Sequence, residues 1–217
     1  MDKNLIVHAA RNLFYEQGIE NVTVKKIAET CGTATSLINY HFQSKSNLVV
    51  NVVEQYSHEI DDEVKDMIYK CRVQYDVLVC NLLSLCVKLD MYSTDEKARN
   101  FYLEYLNLGF DTLFSASYED LYTQIDRSVI LDLDPTYNQL PSVSAAAHGA
   151  LLSLMYAYFS GRLNCTHEQF LDYVLKTRCR ILNLSENVEK VALDAVRSLY
   201  DRCSYDIEPD FVVVSRM

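Results

Sequence analysis

The 217-residue chain is 49% hydrophobic, carries a formal net charge of −10 and contains five glycines and three prolines. Apolar material in that proportion excludes wholesale disorder, and so few glycines and prolines weigh against turn-rich β architecture. The longest apolar stretch, residues 149–161, is about half of the ~20 residues that a spanning helix requires.

The N-terminus alternates charged and apolar residues and has no continuous apolar secretory core, so a cytoplasmic protein is expected. Seven cysteines, at 31, 71, 80, 86, 165, 179 and 203, are odd in number and scattered. They form no C-x-x-C pair and no zinc spacing, so free thiols in a reducing compartment are expected, with no metal and no cofactor. Charge is unevenly spread. Residues 1–56 hold five basic (Lys3, Arg11, Lys25, Lys26, Lys45) and five acidic groups (Asp2, Glu16, Glu20, Glu29, Glu54), so the remainder carries the whole excess of −10. A neutral head on an acidic body directs a polyanion towards the head.

In chain order, Leu5, Ile6, Ala9, Ala10, Leu13 and Phe14 recur at helical spacing, and Gly18 follows as a stop, predicting a helix over about 3–17. Thr23 reads as the N-cap of a short helix with Val24, Ile27, Ala28 and Cys31 on one side. Gly32 ends it, and a third helix is expected over Thr33–Phe42. Ser44 caps a fourth, starting at Lys45 and running to about residue 70. Two short helices around a tight glycine turn form a helix-turn-helix. Within the third helix, Ala34, Ile38 and Phe42 are expected inward, Thr35, Ser36, Asn39 and Tyr40 outward, and Leu37 and His41 on the flank. The outward groups suit base edges and phosphate oxygens in a major groove. Taken singly, Tyr40 and His41 also suit packing, though less well than contact with DNA, and Lys25 and Lys26 serve equally as solvated charges.

The string TVKKIAETCG followed by TATSLINYHFQSKSNLV resembles the TetR-family signature, over about residues 4–52. The resemblance implies an all-α fold: a three-helix DNA-binding head (1–48) and a helical ligand-binding and dimerisation body (49–217). It implies that Thr23, Lys25 and Lys45 touch phosphates, that Thr35, Ser36, Leu37 and Asn39 lie along the groove, and that Tyr40 and His41 meet backbone or base edges. Two positions depart from the family pattern. Thr33-Ala34 stands where Val-Ser is common, leaving Thr33 or Thr35 to cap the third helix. Thr35 replaces a frequent basic residue, which predicts salt-sensitive binding.

Beyond the head, helices are expected over about 74–91, 95–108, 142–162, 167–183 and 187–203. A less regular segment lies at 110–131, and Asp134–Pro141 reads as a loop. The resemblance implies that the small-residue helix 142–162 and the helix 167–183 form the homodimer interface, and twofold symmetry matches a palindromic operator. The tail from Tyr205 ends in an apolar run that either docks or stays mobile. The body is rich in tyrosine and phenylalanine, which suit a cavity for a mostly apolar small molecule with a few polar handles. Tyr102, Tyr105, Phe110, Tyr122 and Tyr156 are the expected lining, with Arg127 and His148 for an anionic group.

No nucleophile elbow, phosphate-cradling loop, H-E-x-x-H or dinucleotide fingerprint occurs, so no enzyme is expected. The sequence therefore reads as a ligand-responsive repressor that binds double-stranded operator DNA as a dimer. The competing reading is a helical protein–protein adaptor whose head no longer binds DNA specifically.

Overall fold

A computed structural model describes residues 2–74, 76–108 and 140–216. The first helix, α1 (Lys3–Gln17), opens on Asp2, whose carboxylate accepts the Asn4 N–H, and closes at Gly18, which adopts φ +78° and donates to the Phe14 carbonyl. Its buried face is Ile6, Val7, Ala10, Arg11, Phe14 and Tyr15, so the expected stripe is rotated and Leu5 is 60% exposed. The rotation has a cause that lies 200 residues away: the C-terminal segment packs against the Arg11 and Tyr15 side of α1.

Helix α2 (Val24–Thr30) is capped by Thr23, which accepts the Lys26 N–H at 3.1 Å. Gly32 follows at φ +64°, with open space where a Cβ would stand, so the left-handed backbone and not crowding requires glycine there. The next helix, α3 (Thr35–Phe42), starts two residues later than expected, and neither Thr33 nor Thr35 caps it. Ala34 occupies the N-cap with no side-chain hydrogen bond. The reason is that the Thr33 N–H donates to the Ala28 carbonyl at 2.9 Å, which makes Thr33 the close of α2. Ala34, extended at φ −90° and ψ 147°, is exposed and not inward, whereas Ile38 and Phe42 are buried.

Helix α4 (Lys45–Lys70) begins at Ser44, which accepts the Asn47 N–H at 3.1 Å. Its stripe of Leu48, Val49, Val52, Tyr56, Ile60, Val64 and Met67 is buried, and the helix runs unbroken from the head into the body. Asp95 then separates two helices by closing α5 (Val77–Thr94) and accepting the Lys97 and Ala98 N–H groups that open α6 (Glu96–Leu106). By length and composition α5 is apolar enough to cross a membrane. Here 67% of its residues are buried inside the fold, among α4, α6 and the last two helices.

Helix α7 (Leu140–Phe159) begins within the segment expected to be a loop. Proline is tolerated in a first helical turn, where its missing N–H has no partner to lose. The rest of that loop, and the segment 110–131, lie outside the described residues. Helix α8 (His167–Ile181) opens on a capping box between Thr166 and Gln169, and α9 (Glu186–Arg202) opens on Ser185.

The tail, expected either to dock or to stay mobile, docks. Strands β1 (Tyr205–Glu208) and β2 (Val212–Ser215) form an antiparallel hairpin with Ile207 opposite Val213. At its tip both Asp210 and Phe211 adopt positive φ, 66° and 60°. A bulky residue rarely does so. The strained turn drives the Phe211 ring into the core, where it is fully buried, stacked 4.6 Å from Tyr56 and in edge contact with Tyr15 at 5.2 Å.

Candidate nucleic-acid interface and effector cavity

Ile38 and Phe42 anchor α3 to the head, which turns the opposite side of the helix outward. Thr35, Ser36 and Asn39 are exposed on that side, Tyr40 is 80% exposed, and Leu37 and His41 are half-buried at its edge. At that exposure Tyr40 is not a packing residue. Its ring contacts only the edge of the neighbouring His41 among the described aromatic pairs, at 5.3 Å.

Around this face the cations differ in availability. Lys25 is 79% exposed and pairs with Glu29 at 3.9 Å, an i,i+4 contact worth about 0.3–0.5 kcal/mol and easily exchanged for a phosphate. Lys26 donates to the Gln17 side chain. Lys45 opens α4, where the first-turn amides point outward, and makes no ion pair among the described residues. Lys3, absent from the sequence-derived set, lies 5.3 Å above the Phe42 ring and so stands beside α3. Arg11, one of the five basic groups of the head, is withdrawn from any outside partner. It is 2% exposed, donates to the Asp210 carbonyl and pairs with Glu59 at 2.5 Å.

The head is also tied to the body. Glu104 on α6 accepts the Glu20 N–H at 3.0 Å, and its carboxylate fills the space where a side chain on Gly18 would stand. Lys97 pairs with Glu16 at 2.6 Å, and the Tyr15 hydroxyl donates to Asp95. Burial, then that neighbouring carboxylate, pushes the Tyr15 phenol up to about 12.

Of the expected cavity lining, Tyr102 and Tyr105 come together on α6, both buried, with ring centroids 5.9 Å apart. Tyr102 stacks on Tyr92 of α5 at 4.2 Å and donates to the Met155 sulfur of α7 at 2.8 Å. Tyr92 in turn shares a 2.9 Å hydrogen bond with Tyr56 of α4. Tyr156 is half-buried, with the Arg162 guanidinium 5.1 Å from its ring. Phe110, Tyr122 and Arg127 lie outside the described residues, as does the side chain of His148.

A polar hub was not legible in the sequence. Asp90, 9% exposed on α5, accepts from the hydroxyls of Tyr200 (2.8 Å) and Tyr205 and bonds His167 Nε2 at 2.5 Å. One carboxylate thereby joins α5, α8, α9 and the hairpin. Burial, and then that negative charge, push both phenols upward. The available signal was an aspartate inside a largely apolar helix. Beside the hub, a cavity of about 660 Å³ opens between α5, α8 and α9, lined in part by Cys86, Gln169, Asp172, Arg197 and Tyr200.

Residues 6–52 match the family described as bacterial regulatory proteins, tetR family. The whole chain is similar in fold to RolR without ligand, at 16% identity over 91% of this chain and 96% of that one, with a TM-score of 0.60. RolR in complex with resorcinol is similar at 16% identity, over 89% and 91% of the two chains, with a TM-score of 0.59. A tetR-family transcriptional regulator from Streptomyces coelicolor has 17% identity over 91% and 87%, with a TM-score of 0.49. No curated protein matches the sequence.

Proposed function

We propose, from the match of residues 6–52 to the tetR-family model, that this chain is a TetR-family regulator, a ligand-responsive repressor binding a palindromic operator as a homodimer. The observation that carries the reading is α3, whose exposed side presents Thr35, Ser36, Asn39 and Tyr40 while Ile38 and Phe42 hold it to the head. In this reading residues 1–48 read DNA. Thr23, Lys25 and Lys45 hold phosphates, Thr35, Ser36, Leu37 and Asn39 lie in the major groove, and Tyr40 and His41 reach backbone or base edges.

Residues 49–217 sense and dimerise, with α7 and α8 as the interface. Tyr173 on α8, 52% exposed, is apolar area that a second copy would cover. The effector is a small molecule held near Tyr102, Tyr105 and Tyr156, with Phe110, Tyr122, Arg127 and His148 as further lining. The resorcinol complex of RolR supports an effector of that size. Because α4 is continuous from Lys45 to Lys70, repacking around Tyr56 and Tyr92 reaches the head directly. A coupling of ~1–3 kcal/mol changes operator occupancy 5- to 150-fold. On this reading the protein works in the cytoplasm, with no cofactor and no reaction catalysed.

The test is DNA affinity of Tyr40→Ala and Lys45→Ala in dimers whose helical content is unchanged. Lys45→Ala should weaken all duplexes alike and lower the salt slope by about one. Tyr40→Ala should weaken operator binding roughly tenfold or more. Wild-type affinity in both folded variants would remove α3 and α4 from the interface and return the adaptor reading.

A further inference from the structure

A separate site, independent of the DNA reading, is built where α4 and α9 end. Cys71 is the residue that closes α4 and Cys203 the residue that closes α9, and their sulfur atoms stand 4.0 Å apart. The contact is not a chance approach of two loose ends. Arg202 donates to the Cys71 carbonyl at 2.9 Å, fastening the end of α9 to the end of α4. Lys70 donates to the Ser215 hydroxyl at 2.9 Å, and the Ser215 N–H donates to Glu63 at 2.7 Å, fastening β2 to the same stretch of α4. Both thiols are half-buried. A small oxidant can reach them, while the surrounding chain hinders a second protein molecule from doing so.

We propose that Cys71 and Cys203 are a redox-active dithiol, which a peroxide converts to an intramolecular disulfide that staples α4 to α9. The Cys71 thiolate attacks one peroxide oxygen. The S–O bond forms, the O–O bond breaks, and the departing oxygen takes a proton and leaves as water or an alcohol. The Cys203 sulfur then attacks the sulfenic sulfur. The S–S bond forms, the S–O bond breaks, and the hydroxyl leaves as water with the Cys203 proton. Two electrons pass from the two thiols to the peroxide, and a dithiol reductant reverses the step.

The order of attack follows from the surroundings. Burial, and then the adjacent Cys71, push the Cys203 thiol upward, which makes it the later of the two to react and the resolving partner. Bond formation requires the sulfurs to close from 4.0 Å to about 2.05 Å. Both residues lie beyond the last turn of their helices, where side-chain rotation and a small backbone adjustment can supply that movement. The cysteines at 80, 86 and 179 are buried, which keeps an oxidant in water from reaching them.

The experiment treats the full-length chain with hydrogen peroxide, alkylates the remaining thiols, and maps digested peptides by mass spectrometry. The expected product is a peptide pair joined through Cys71 and Cys203, two hydrogens lighter than the free peptides and reversed by dithiothreitol. On a non-reducing gel the product should run as a monomer, at or slightly ahead of the reduced chain, with no dimer band. Free thiols counted in denaturant should fall from seven to five per chain. In Cys71→Ser the same exposure should leave Cys203 alkylatable. Because the assignment is read first on the wild-type chain, a variant that folds poorly does not decide it. Persistence of both thiols at a dose that oxidises the half-buried Cys31 or Cys165, stepwise over-oxidation without a cross-link, or pairing with any other cysteine would overturn the proposal.

Discussion

Replacing Phe211 by alanine tests whether the C-terminal hairpin is an integral part of the fold. The ring is fully buried and lies 4.6 Å from Tyr56, 4.8 Å from Phe101 and 5.2 Å from Tyr15, so it joins residues of α1, α4 and α6 at one point. Truncating a phenylalanine so placed costs about 3–5 kcal/mol in lost burial and an unfilled cavity. Alanine at φ 60° keeps the backbone strain, so nothing is recovered there. Glycine would relieve about 1 kcal/mol of strain but restores a similar amount of unfolded-chain entropy, so Phe211→Gly should fall close to Phe211→Ala. The assay is urea unfolding followed by circular dichroism, read as a shift in midpoint at constant slope. At roughly 2–4 °C per kcal/mol for a chain of this size, melting should fall by about 10 °C. A loss below about 1 kcal/mol would refute the reasoning, because an undocked hairpin would contribute no core.

Asp90→Ala leaves the Tyr200 and Tyr205 hydroxyls and His167 without their shared acceptor and should cost about 1–3 kcal/mol, measured by the same unfolding series. A neutral outcome would mean that the hub does not form. At Asp172, burial works to raise the carboxyl, but Lys176 and Arg197 outweigh it and hold the group below its usual value. A folded pKa below the unfolded one stabilises above the unfolded value, near 4, and that contribution is lost as pH falls through the folded value. Asp172→Asn should therefore be less stable than wild type at pH 6, and the difference should close as pH falls towards 2. A gap that stays constant with pH would contradict this assignment.

Much of the head was legible because its signals are local. Gly18, Thr23, Gly32 and Ser44 each act within a few residues, and each stands at the helix boundary expected of it. The start of α3 was displaced because the competing hydrogen bond, Thr33 N–H to Ala28, belongs to the end of the preceding helix. Contacts made across the chain were not legible. The burial of Arg11 depends on the Asp210 carbonyl, and the rotation of α1 depends on the same hairpin. Alternation in Tyr205–Ile207, a turn pair at Pro209-Asp210 and the β-branched run Val212–Val214 were usable hairpin signals, weakened by the shortness of the strands. For the effector site, composition indicated aromatic residues but not their partners. Tyr102 meets Tyr92 and Met155, residues on two other helices that no periodicity in α6 can identify.

The most direct test of the central claim is selection of bound sequences from a random duplex pool, carried out at low salt and repeated near physiological salt. The account predicts an inverted repeat with half-sites about one DNA turn apart, roughly 34–36 Å, retained at the higher salt and lost in Tyr40→Ala. Binding without a consensus that vanishes as salt rises would contradict it.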